Sequence, residues 1–292
     1  MDATEYHRRR RFAKTPFGEI AYVERGNGRV ALFLHGYPLN GYQWRNIIER
    51  LSDVRRCIAV DLMSAGYTRP ALDQDVSYPA QARMIAAFLD ALNIEQVDLV
   101  GNDSGSAISQ IFAARHARRL RSLTLTNSVV HDQWPPPALM WLVDAARAGT
   151  YKTRLRRLLA DLGQFRANLG HVFEHPERLS DETLRTYYEP FVASDASGQN
   201  LERFIISIEA RHTVEIEALL KELRVPTLII WGTGDTIFPL KGAYWLKAAI
   251  PGARGVIELP GAKVWFPEEY PEFVSEKLRE HWSRGGPNGS AR

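Results

Sequence analysis

The sequence predicts an α/β protein: a mostly parallel sheet with helices on both faces and a helical lid over one edge. Three observations carry this reading. Short apolar runs alternate with amphipathic helical segments from Phe12 to about Val130, and again from Thr227 to Trp282. One run, Val97–Val100, passes straight into a helical segment through a turn bounded by Gly101 and Gly105. The zone between the two α/β stretches, 132–215, contains helix-like segments and no convincing strand.

Taken in order, Gly18–Arg25 and Val30–Leu34 read as strands, the second ending in His35-Gly36-Tyr37-Pro38. Cys57–Leu62, Val97–Val100 and Leu123–Thr126 follow as buried strands. Between them, Ser77–Leu92 places Met84, Ile85, Phe88, Leu89 and Leu92 on one helical face, with Ser77 as N-cap and Pro79 in the first turn. The middle zone opens with Trp134-Pro135-Pro136-Pro137. Beyond it, Thr227–Trp231 is a strand, Leu240–Ile250 a helix, Gly255–Leu259 a strand and Glu268–Trp282 a final helix. Ligands of open α/β sheets bind at the carboxyl edge of the strands, where a helical insert would form a lid.

Composition narrows the function classes. Apolar residues make up 45% of the 292 and charged residues 24%, ordinary for a chain that buries a sizeable core. A net charge of +3 is too small to argue for nucleic acid, and Arg8–Arg11 reads as a solvated edge segment. The single cysteine, Cys57, excludes an intramolecular disulfide and a multi-cysteine metal site. No metal or other cofactor is expected. The absence of a long apolar run and of an apolar leader points to a cytoplasmic protein without a membrane span. The expected partner is a small-molecule substrate, with a homodimer left open.

The turn at 101–105 is the most informative stretch. A strand that enters a helix through one residue forces that residue into a strained conformation, and positions two before and two after it must be small. Gly101 and Gly105 meet that demand when Asp103 is the centre; centring on Ser104 would put Asn102 and Ser106 at the crowded positions. The alternative is an ordinary Gly-bounded turn with Asp103 as a helix cap.

On these residues the sequence resembles the α/β-hydrolase family, and within it the aspartate-nucleophile branch of haloalkane dehalogenases and epoxide hydrolases. His35-Gly36-Tyr37-Pro38 is similar to the family's HGxP turn, and Asp61–Thr68 resembles its DLxGxGxS segment, with Ser64 in place of a glycine. Trp231–Asp235 looks like the end of the strand that carries the acid, and Pro260–Glu269 like the segment that carries the catalytic histidine. The resemblance implies an eight-stranded sheet; with the zones above it gives a core over 1–131 and 216–284 and a helical cap over 132–215, and the Gly/Ser/Asn-rich composition of 285–292 marks a loose tail. It also implies Asp103 as nucleophile, Asp235 as acid, and backbone N–H groups of Tyr37 and Ser104 as the oxyanion hole. The histidine position falls on Val264, which has no proton to move.

The expected activity is therefore hydrolysis of an epoxide, ester or C–halogen bond through Asp103, with an atypical or relocated base. A carboxylate of ordinary pKa, near 4, is already ionised at neutral pH and can form an alkyl ester without help; breaking that ester requires activated water. Among eight histidines, His131 after the sixth strand is the candidate replacement base and His212 the next, while His171 and His175 are set aside as polar lid residues. Further candidates for substrate contact are His35, Trp134, Tyr187, Tyr188 and Val264. The side chains at 37 and 104, Tyr and Ser, lack the Asn and Trp donors by which dehalogenases hold halide; Tyr187-Tyr188 could protonate an opening epoxide. Two alternatives remain: a lyase or isomerase in which Asp103 moves a proton, and a binding protein that has lost turnover.

Overall fold

The computed structural model of the chain describes residues 1–71 and 73–284. Eight strands form one sheet: β1 (Arg11–Thr15), β2 (Gly18–Arg25), β3 (Val30–Leu34), β4 (Arg56–Val60), β5 (Val97–Gly101), β6 (Leu120–Thr126), β7 (Thr227–Gly232) and β8 (Ala253–Leu259). Their spatial order is β1-β2-β4-β3-β5-β6-β7-β8. β1 and β2 pair antiparallel, as do β2 and β4, while every pair from β4 through β3 and β5 to β8 is parallel. The edge hairpin strand β1 was not foreseen, because its alternating exposed pattern in Arg-Phe-Ala-Lys-Thr carries little apolar signal. All five residues of β3 and of β5 are buried, as expected of central strands covered on both faces. Each large apolar side chain there, such as Phe33 at 0% exposure, contributes about 2–3 kcal/mol by leaving water.

The helix read over 77–92 spans Tyr78–Ala91 and buries Met84, Ile85, Phe88 and Leu89 as its periodicity requires, but the Ser77 side chain makes no capping bond. The final helix starts at Pro271, not Glu268, because Phe266–Glu269 forms a separate helical turn and Pro271 suits the first position of a new helix. Between β6 and β7 the described residues form helices and turns only. These helices lie over the carboxyl edge of the sheet: the Tyr37 ring packs 4.0 Å from Phe204, and Asn40 Nδ2 donates to the Thr186 carbonyl at 2.8 Å. No helix among the described residues is long and apolar enough to cross a membrane. The tail expected to be loose, 285–292, lies outside the described residues.

Candidate active site

β5 delivers Asp103 to the carboxyl edge through the turn that its glycines foretold. Asp103 adopts φ 54°, ψ −122°, a strained conformation for a residue with a side chain. The turn tolerates no Cβ on either side. A Cβ at Gly101 would fall 2.5 Å from the Gly105 carbonyl oxygen, and one at Gly105 would fall 2.3 Å from that of Leu34. Backbone bonds hold the strain in place: Asp103 N donates to Asn127 O at 2.8 Å, and Gly105 N to His35 O at 3.1 Å. Asp103 is thus the residue raised at the elbow, and Ser104 begins the helix Ser104–Arg115.

The two oxygens of Asp103 have different surroundings. Oδ2 accepts from the Trp265 indole Nε1 at 2.9 Å and from the Tyr37 backbone N at 3.2 Å. Oδ1 has a long contact, 3.4 Å, with Ser104 Oγ, which itself accepts from Tyr78 OH at 3.1 Å. Burial pushes the Asp103 carboxyl up to about 7; the Trp265, Tyr37 and Ser104 donors oppose the shift and the nearby Asp235 adds to it. Burial under the lid thus works against the ready ionisation of an ordinary carboxylate and favours the proton-holding form.

Asp235 follows β7, as the resemblance implied, and two of its three hydrogen bonds lie within its own turn, the third coming from Asn127 after β6. Oδ1 accepts from the backbone N–H of Ile237 at 2.7 Å and of Phe238 at 3.2 Å, and Oδ2 from Asn127 Nδ2 at 2.7 Å. Burial raises it to about 6, against the pull of those donors. Val264 lines the cavity above Asp103, and its carbonyl is fixed by Asn102 Nδ2 at 2.8 Å.

The remaining candidates divide. Trp134, Tyr188 and Val264 line the cavity, together with Tyr37, Asp103 and Ser104. Tyr188 OH is buried and has no hydrogen-bond partner among the described residues. Tyr187 is turned away: it is buried against Glu268, whose carboxylate also holds Arg45. His35 lies beneath the site, with Nδ1–H donating to Gly36 O and Nε2 accepting from Leu62 N. Its burial lowers it to about 4, so it is a neutral prop and not a substrate contact. His131, the candidate base, is absent from the cavity wall. It bonds Glu217 through Nε2 at 3.1 Å and stacks on Trp245 with centroids 4.8 Å apart. His212 lies in a separate groove beside Arg115 and Asp75.

Among the lining residues that the sequence reading did not select are Trp265 and His171. Trp265 donates to the carboxylate; the indole Nε1 lies so close to Gly36 that a Cβ there would come within 2.7 Å of it. Alone among the eight histidines, His171 lines the cavity, at its exposed rim, with Nδ1 bonded to the Asn168 carbonyl. Neither carried a sequence signal, because the contact of Trp265 with Asp103 spans 162 positions and His171 sits in a polar lid segment. The cavity measures about 490 Å³ and is walled mainly by apolar and aromatic side chains, enough for a small to medium organic molecule.

Comparison with known proteins agrees with this architecture. The family model for the alpha/beta hydrolase fold matches residues 30–270. A haloalkane dehalogenase of Agrobacterium fabrum is 35% identical over 289 residues, covering 90% of this chain and 88% of the relative. The cis-3-alkyl-4-alkyloxetan-2-one decarboxylase of Shewanella oneidensis is 28% identical over 244 residues, covering 79% and 74%. The crystal structure of an alpha/beta hydrolase fold protein from Burkholderia ambifaria superposes with a TM-score of 0.81 at 24% identity, covering 92% and 97%, a likeness of fold. An eight-stranded sheet, an elbow at Asp103 and these relatives together place the chain in the alpha/beta hydrolase fold family, with haloalkane dehalogenases among its relatives.

Proposed function

We propose that the protein is a hydrolase-like enzyme that acts on a small to medium, largely apolar organic molecule through Asp103. The observation that carries this reading is the asymmetry of the carboxylate. Oδ2 is held by Trp265 and Tyr37 N–H groups, which leaves Oδ1 as the oxygen available to the cavity. In the step this arrangement supports, Oδ1 attacks an electrophilic carbon, the bond from that carbon to its leaving group breaks, and the leaving group departs with the electron pair. The product is an alkyl ester of Asp103 whose carbonyl oxygen, the former Oδ2, stays among its N–H donors. A strained cyclic oxygen leaving group, as in an epoxide or lactone ring, suits the wall better than halide. The unpartnered Tyr188 hydroxyl offers a donor for oxygen, and the side chains at 37 and 104 offer no N–H for halide.

A second reading has its own support. Val264 supplies no base to bring water onto the ester, and Asp103, raised to about 7, is suited to giving and taking a proton. A lyase or isomerase cycle that never needs water fits both facts. The oxetanone relative carries the name of a decarboxylase, so a reaction other than hydrolysis is within reach of this fold.

The deciding experiment is intact-protein mass spectrometry after exposure to an alkyl epoxide. A persistent single adduct on the peptide containing Asp103 is expected, and Val264→His is expected to convert it to diol. No adduct in the parent and no gained hydrolysis in a folded Val264→His variant would overturn the nucleophile reading in favour of proton transfer. Introducing a larger polar side chain at this buried position costs about 1–3 kcal/mol, so folding is checked by melting.

A further inference from the structure

The cavity has two unlike ends. Its floor carries Asp103, with Asp235 close enough to influence it. On the lid wall stands Arg154, in the helix Tyr151–Ala160, where Tyr151, Leu155 and Leu158 also line the cavity. Positions 151, 154, 155 and 158 fall on one helical face, so the helix turns Arg154 toward the same space as its apolar neighbours. The other cations of this helix that form ion pairs reach acids elsewhere in the lid: Lys152 lies 3.5 Å from Glu202, and Arg156 lies 2.7 Å from Asp195. Arg154 has no acidic partner among the described residues. Its guanidinium lies instead on the Trp141 ring, 4.6 Å from the centroid, and Trp141 is itself a cavity-lining residue with 42% of its surface exposed.

A guanidinium lying on an aromatic ring keeps its N–H donors free at its edges, and the planar fork matches a carboxylate. The ring also fixes the long side chain, so less freedom is lost when an anion binds. At the floor the charge is reversed: an anionic group there would meet the Asp103 carboxyl, with the Asp235 carboxyl nearby.

We propose that Arg154, stacked on Trp141 at the cavity mouth, is an anion-recognition site that selects substrates carrying a carboxylate at the end remote from the carbon presented to Asp103. The inference rests on the reading of this cavity as the substrate site and adds polarity to it: apolar body inward, carboxylate outward. It makes Arg154 a specificity-determining residue with no part in bond breaking.

The test uses two probes without a reactive carbon, 6-phenylhexanoate and its primary amide, so the measurement does not depend on Asp103 reacting. Binding to the full chain is measured by calorimetry at low and high salt. The carboxylate is expected to bind tighter than the amide by about fivefold or more at low salt, with the preference shrinking as salt rises. Arg154→Gln should erase the preference while leaving amide affinity unchanged, and Arg154→Lys should keep part of it. Trp141→Ala should reduce it by freeing the guanidinium. Equal affinities for the two probes, a preference that survives Arg154→Gln, or failure of both probes to bind would each overturn the proposal. The epoxide adduct experiment fails or succeeds separately: an adduct on Asp103 without a carboxylate preference sinks only the mouth site, and the preference without an adduct sinks only the nucleophile reading.

Discussion

The elbow after β5 and the segment after β8 meet at the same cavity floor, yet they differ in what they retain. The elbow raises a carboxylate into the cavity: strained φ at Asp103, two glycines without room for a Cβ, and the Tyr37 backbone N–H aimed at one carboxylate oxygen. The segment at 261–269 keeps the shape of the floor but brings a different chemistry to it. Val264 offers no proton, and its neighbour Trp265 turns an indole N–H onto Asp103. One region raises a carboxylate; the other holds it with an indole N–H. On the proposed reading, such a site begins covalent chemistry more readily than it finishes a hydrolysis.

The largest expected effect breaks the first region. Asp103→Ala should abolish adduct formation and any turnover on an epoxide, ester or halide panel, a loss of about a thousandfold or more. Replacement by Asn also reads the electrostatics. The folded-state pKa of Asp103, about 7, lies above its unfolded value of about 3.9, so between those values the native state binds more protons and stability falls as pH rises. Asp103→Asn should therefore stabilise the fold above pH 7, by about 2–4 kcal/mol, and by progressively less as the pH falls toward 4. Thermal melts across that range check it; a gain independent of pH would mean that Asp103 is not raised.

Next in size is Trp265→Phe, which removes one donor from Oδ2 while keeping a ring. The Asp103 midpoint in the pH profile of adduct formation should rise by about one unit, since a hydrogen bond to a charged group contributes about 1.5–3 kcal/mol. Formation at pH 6 should then slow by about tenfold, with little change at pH 9. An unmoved midpoint would remove Trp265 from the site.

A smaller effect is expected at Asp235. Its three hydrogen bonds fasten the turn after β7, so Asp235→Ala should cost about 1–3 kcal/mol of stability and change adduct formation by less than about threefold. In the Val264→His background the same change should abolish the gained hydrolysis, because a new imidazole would need an acid to orient it. The smallest change is Ser104→Ala, with most activity retained, because the oxyanion-hole role proposed for residue 104 uses its backbone N–H alone. A loss as large as that of Asp103→Ala would move the reacting group to Ser104.

By itself the sequence determined the α/β alternation, the helical insert between β6 and β7, and the identity of the elbow residue. These were legible because each rests on near neighbours: strand and helix periodicity, and the demand of one turn for small residues two positions either side. The family resemblance placed Asp235 just after β7, where it lies. What only the tertiary structure decided is who meets whom at the floor. Trp265 reaches Asp103 across 162 positions, His131 bonds Glu217 away from the cavity, and Tyr187 turns to Glu268 while its neighbour Tyr188 lines the wall. The pKa of Asp103 belongs to this second group, since desolvation depends on how lid and sheet together exclude water, and no window of sequence contains both.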